Sequence, residues 1–293
     1  MKKFSLLLAA VMLVSVLAGC SSSGETTKGD SKKEIKLAYV AWDSEIASTY
    51  VVKEVLETKL GYKVEMLQVD AGPMFAGIAD GSADAMVAGW LPSTHQSYIE
   101  KYGDKLVDLG PNLDGTKIGL VVPTYMDINS IEDLTNAETG AALDYKLIGI
   151  EPGAGLMMAT EKALDEYSLR DQWTLVESSS AAMAQELDKA YKNQQPIVVT
   201  GWTPHWMFAK MELKYLEDPK NVYGGDEQIH TLVRKGLDAD KADAYALLDA
   251  FNWTPDDMAA VMVEVIEGKS PEEAAKAWVE ANADKVNAWL PAQ

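Results

Sequence analysis

The chain has 293 residues, with 26 Lys and Arg against 45 Asp and Glu and a formal charge of −19. A surface that acidic repels phosphate backbones and anionic headgroups, which excludes nucleic acid as an expected partner. Once a leader is set aside, the length suits one large domain or two lobes of ordinary size.

The leader comes first. "MKK" is a basic start, residues 4–17 are an uninterrupted apolar run of 14, and "LAGC" closes it at Cys20. Such a run is too short to span a bilayer comfortably and has the layout of a secretory signal segment. The small Ala18 and Gly19 make a lipobox-like pattern, in which residues 1–19 are removed and Cys20 becomes an acylated N-terminus. Cys20 is the only cysteine, so no intrachain disulfide accounts for it. Residues 20–33 have no apolar periodicity and read as a lipidated flexible tether. Loss of Lys2 and Lys3 leaves 24 basic against 45 acidic residues, a net −21. The expected product is a globular body held by lipid on the extracytoplasmic side of a cell membrane.

That body starts with a strand over residues 35–42 that runs into a helix over 43–60, where Asp43 or Ser44 can cap. Residues 63–70 read as a second strand, 72–81 as a short helix and 83–90 as a third strand. After a loop and the helical "HQSYIEKYG", residues 116–125 form a strongly apolar strand. The second half replays this order: strands at 145–150, 173–178 and 196–202 alternate with helices at 151–167 and 180–193. "IHTLVRKGL" at 229–237 stands where "TKIGLVVPTY" stood. Leu37 corresponds to Leu147, Trp90 to Trp202 and Ile118 to Ile229, with offsets of 110, 112 and 111. The remainder is helical, with Asp240, Thr254 and Ser270 as expected caps.

Strands alternating with helices predict an α/β fold whose mostly parallel sheets carry helices on both faces. In such sheets ligands sit at the carboxyl ends of strands. Trp42, Trp90, Trp202 and the "PGAG" turn all fall at those ends, so two halves facing each other would bring them to one cleft. Trp173, Trp253, Trp278 and Trp289 read as core packing. Aromatic faces around a cavity suit a quaternary ammonium, which has no N–H to donate. Each face contributes ~0.5–2 kcal/mol, on the order of 2–6 kcal/mol for three if simply summed.

In "EPGAGLMM", Gly155 and Leu156 lie where a helix begins. Their free amides make an anion site, although an ordinary strand-to-helix turn has the same sequence. His95 follows Trp90 by five residues across a Pro-containing turn and can fold back to donate an imidazole N–H to a carboxylate. His205 and Trp206 either line the same cavity or pack. No Cys/His cluster has metal spacing and no phosphate loop is present, so no metal and no cofactor are expected.

"AYVAWDSEIAST", "GSADAMVAGWLPSTH", "GLVVPTYM", "IGIEPGAGLM", "SSSAAMAQELDKAY" and "TGWTPHWMFAKMELKYLEDPK" closely resemble the glycine betaine-binding proteins of ABC importers, the OpuAC type. The resemblance covers 34–293, with the two halves in swapped order relative to some members. It implies a type II periplasmic binding protein fold, two α/β lobes joined by two crossover strands. Residues 34–122 and 231–293 would form lobe 1 and residues 123–230 lobe 2, with crossovers near 117–123 and 229–234. It implies that Trp42, Trp90 and Trp202 enclose the trimethylammonium group of glycine betaine, with His95 and the Gly155 and Leu156 amides holding its carboxylate. It further implies a monomeric, non-enzymatic receptor that delivers glycine betaine or a related betaine to an ABC transporter permease for osmoprotection. Proline betaine and carnitine fit the same six positions. A hydrolase using His95 or His205 with an Asp or Ser is a rival class, disfavoured because no nucleophile elbow or carboxylate pair stands out. A sensory module without transport is a third.

Overall fold

The computed structural model describes residues 33–291; the leader, Cys20 and all but the last residue of the tether lie outside them. Its first run of elements is β1 (Glu34–Tyr39), α1 (Asp43–Leu60), β2 (Lys63–Gln68), α2 (Ala71–Asp80), β3 (Ala85–Leu91), α3 (Gln96–Tyr102) and β4 (Leu106–Pro123). The second is α4 (Ala137–Ala142), β5 (Lys146–Ile148), α5 (Gly155–Glu166), β6 (Thr174–Val176), α6 (Ser180–Lys192), β7 (Val199–Thr203), α7 (Met207–Lys210) and β8 (Leu213–Tyr215). The chain closes with β9 (Glu227–Arg234), α8 (Leu237–Asp240), α9 (Ala242–Ala250), α10 (Pro255–Ile266), α11 (Pro271–Ala281) and α12 (Ala283–Ala288).

The strands join in the order β2-β1-β3-β9-β4-β7-β5-β6, with β8 also on β4. β1 pairs in parallel with β2 and β3, and β5 pairs in parallel with β6 and β7. Only β9 and β4 run antiparallel through the middle. β4 links the two strand groups: its residues 106–116 pair with β9, and Lys117 onward pairs with β7. The changeover therefore lies between Thr116 and Lys117, and β9 pairs along its length with the first group. Three register shifts between β4 and β9 let a single strand serve both.

The helical tail packs back on the first group. α9, α10 and α11 all contact α1, whose Val51, Val52, Val55 and Leu56 are completely buried. Each such side chain contributes about 1.5–3 kcal/mol relative to exposure. Thr254 and Ser270 cap α10 and α11 with full capping boxes, each followed by Pro at the first turn. Asp240 does not cap; it pairs with Arg234 at 2.9 Å. Asp43 and Ser44 do not cap α1 either, because Trp42 occupies the N-cap position and no side chain bonds there. Among the described residues no helix is long and apolar enough to cross a membrane.

Candidate functional site

A cavity with about 290 Å³ of empty space lies between the two strand groups. Its lining includes Trp42, Trp90, His95, Gly155, Leu156 and Trp202, so all six residues singled out from the sequence meet in one place. Trp90 lies within β3 and Trp202 within β7, each near the strand's end, while Trp42 caps α1 just beyond β1. Both Gly-Trp-x-Pro turns carry a cis X-Pro bond, Leu91–Pro92 and Thr203–Pro204.

The three indoles are anchored by their edges. Trp42 Nε1 donates to Glu151 Oε1 at 2.5 Å, Trp90 Nε1 to Glu45 Oε1 at 2.9 Å, and Trp202 Nε1 to Ser44 Oγ at 3.1 Å. With each N–H satisfied elsewhere, the cavity is offered ring carbon. Ring faces stripped of their donors attract a cation through the quadrupole and offer nothing to an anion. Trp42 further stacks on His95, with centroids 5.8 Å apart and planes at 24°.

His95 brings one polar group to this apolar wall. It is fully buried, and its Nδ1 accepts the backbone N–H of Trp90 at 3.0 Å. That bond places the ring proton on Nε2, which has no partner of its own. Burial pushes the imidazole pKa down to about 3, so it stays neutral. The result is an N–H donor without a charge, lining the cavity.

The helix α5 supplies two more donors. Its N-cap, Ala154, has no side-chain bond to the first turn, so the amides of Gly155 and Leu156 lack intrahelical acceptors. The helix dipole adds positive potential there. Gly155 is required by space: a Cβ would stand 2.2 Å from the Thr94 carbonyl oxygen, which comes from the opposite side of the cavity. Thr94 is fixed in turn by Glu227 at the start of β9, which accepts from the Ser93 N–H at 2.5 Å and the Thr94 N–H at 2.7 Å.

Three consecutive residues at the start of α1 clasp the far side. Besides the Trp42–Glu151 and Ser44–Trp202 bonds, Asp43 accepts from Ser180 Oγ at 2.8 Å and Trp206 Nε1 at 3.0 Å. His205 Nε2 lies 3.4 Å from the same carboxylate. Burial pushes Asp43 up, but His205, Ser180 and Trp206 outweigh it and hold the carboxyl below its ordinary range. His205 does not line the cavity; it packs edge-on against Trp202, with centroids 4.5 Å apart, and Trp206 serves the clasp. Asp43, Ser44, Glu45 and Glu151 went unrecognised in the sequence, since polar residues at a helix start read as caps.

This arrangement offers ring faces and uncharged N–H donors in one cavity, chemistry that suits a small zwitterion. Among the described residues no histidine hydrogen-bonds a serine, and Ser180 donates to Asp43 rather than to an imidazole base. No group of His, Cys, Asp and Glu among them could hold a metal ion.

Residues 33–281 match the family model described as the substrate binding domain of ABC-type glycine betaine transport system. A glycine betaine/carnitine transport binding protein of Listeria monocytogenes is 56% identical over 153 residues. That stretch is 52% of this chain and only 51%, about half, of the relative's length. The crystal structure of lactococcal OpuAC, closed on glycine betaine, superposes with a TM-score of 0.83 at 47% identity, covering 89% of this chain and 100% of that one. The Borrelia burgdorferi ProX structure gives 0.85 at 40% identity, covering 88% and 97%. These neighbours are type II periplasmic binding proteins, and this chain has their fold.

Proposed function

This chain belongs to the family of substrate-binding domains of ABC-type glycine betaine transport systems, and on that premise we propose that it captures glycine betaine or a closely related betaine. The observation that carries this reading is the pairing, in one small cavity, of three edge-anchored indoles with an unpartnered neutral imidazole N–H. The trimethylammonium group sits among Trp42, Trp90 and Trp202. Its carboxylate accepts from His95 Nε2 and from the amides of Gly155 and Leu156. Both ends of the zwitterion then touch only uncharged groups, ring faces at one end and N–H donors at the other. The cavity is small, in keeping with a compact solute.

The two strand groups act as lobes, 34–122 with 231–293 against 123–230; β4 changes partners between Thr116 and Lys117, while β9 pairs with the first group from Glu227 on. Trp42, Trp90 and His95 come from one lobe and Gly155, Leu156 and Trp202 from the other. Ligand therefore completes its contacts only when the lobes close, and closure is what it stabilises. The receptor works as a non-enzymatic monomer on the extracytoplasmic side, anchored through acylated Cys20, and passes its cargo to an ABC permease. Calorimetry of purified protein with glycine betaine tests the reading directly: saturable one-to-one binding with intact ligand recovered supports it, and absence of binding refutes it.

A further inference from the structure

Among the described residues Glu45 and Glu227 are buried carboxyls without an ion-pair partner, and of the two only Glu45 accepts from a cage indole. Glu45 is completely buried, and its Oε1 accepts the Trp90 N–H at 2.9 Å. Ser48 Oγ donates to Oε2 at 3.4 Å. The neighbouring Ser44 hydroxyl also stabilises it, and that same Oγ receives the Trp202 N–H at 3.1 Å. This carboxyl thus holds one cage indole directly, and the residue before it on the same helix holds a second.

From β3 it faces only the Trp90 N–H, and from its own helix α1 only Ser44 and Ser48. The helices α9, α10 and α11, which also pack on α1, bring no titratable or charged side chain into hydrogen-bond or ion-pair reach of it among the described residues. Burial raises its pKa to about 8, so in the empty protein at neutral pH it carries a proton. A neutral acceptor would hold the indole N–H equally well, and a carboxyl is a costly choice for that task alone.

Resting on the functional reading above, we propose that Glu45 is the counter-ion of the cage, a positioning and specificity residue. When a methylated ammonium seats against Trp90 and Trp202, the Glu45 O–H bond breaks and the proton passes to solvent. The new carboxylate then faces the cation across the breadth of one indole, where water is excluded and attraction is strong. An anionic acceptor on the indole N–H also drives electron density toward the ring face that the cation touches. The site therefore selects a cation over a neutral group of the same shape.

The test is calorimetry at pH 7 in phosphate and in Tris, whose ionisation enthalpies differ. The ligands are glycine betaine and 3,3-dimethylbutanoate, which carries a tert-butyl in place of the trimethylammonium. For the wild type, the buffer dependence of the betaine heat should report release of about one proton per ligand. Betaine affinity should rise about tenfold between pH 6.5 and 8.5, because binding favours the ionised form. Glu45→Gln keeps an acceptor for Trp90; it should release no proton and lose about tenfold or more of the preference for betaine over the carbon analogue. Buffer-independent wild-type heats, or an unchanged preference in E45Q, overturn the proposal while leaving betaine capture standing. No betaine heat in any buffer removes both. If E45Q does not fold, the wild-type proton count and pH profile decide alone.

Discussion

Trp90 and His95 hold each other twice: the Trp90 N–H donates to His95 Nδ1 at 3.0 Å, and the His95 N–H donates to the Trp90 carbonyl at 2.9 Å. One turn thereby fixes a cage wall and the tautomer of the donor beside it. Residues 90–95 thus supply the cavity with one indole wall and one imidazole donor from a single turn.

His95→Gln retains a donor but loses this geometry, and should weaken betaine binding about tenfold or more. Because the folded-state pKa of about 3 lies below the unfolded value near 6.5, the unfolded chain takes up the proton first as pH falls. Wild-type stability therefore drops through the window between those values, by up to about 1.4 kcal/mol per pH unit. The ligand-free gap in Tm between wild type and H95Q should narrow from pH 7 to pH 5; a gap that widens contradicts a neutral buried imidazole.

Trp90→Ala removes one face of the cage and leaves space behind it. Betaine affinity should fall about tenfold to a few hundredfold, with circular dichroism unchanged. Calorimetry giving wild-type affinity from a folded variant would exclude Trp90 from the site.

Gly155→Ala sets a methyl against the Thr94 carbonyl across the cavity. Neither side can yield easily, as Thr94 is tied to Glu227 by its backbone N–H and its hydroxyl. Affinity should fall at least about tenfold through blocked closure, and small-angle scattering with ligand should keep the open-state radius. A compact, tightly binding G155A would show that the two sides do not meet there.

Asp43→Ala removes the acceptor for Ser180 and Trp206 while touching no cavity wall. Contacts made only on closure act chiefly on release, so the dissociation rate should rise several-fold with little change in association. Stopped-flow fluorescence separates the two rates; an effect confined to association would argue against a clasp.

Much of this site is legible in the sequence. Trp42, Trp90 and Trp202 stood out because each ended an apolar strand beside a turn, and strand ends in α/β sheets converge. The duplicated order, with its near-constant offset, anticipated paired strand groups. The first half of β4 was not legible, since residues 106–115 contain Gly110, Pro111 and Gly115 and bend through three register shifts that break alternation. Nor was the outer layer. Asp43, Ser44 and Glu45 look like helix-start chemistry, and only tertiary folding brings them to Ser180, Trp202 and Trp90. Local propensity carries no information about partners 45 to 158 residues away.

The most direct test is a titration of the wild type against glycine, sarcosine, dimethylglycine and glycine betaine, followed by tryptophan fluorescence. All four share the carboxylate, so His95, Gly155 and Leu156 act equally on each, and only the methyl count changes what the indoles meet. Affinity should climb with each methyl and end at least about thirtyfold tighter for betaine than for glycine. Equal affinity across the series would mean that the three ring faces do not hold the cation.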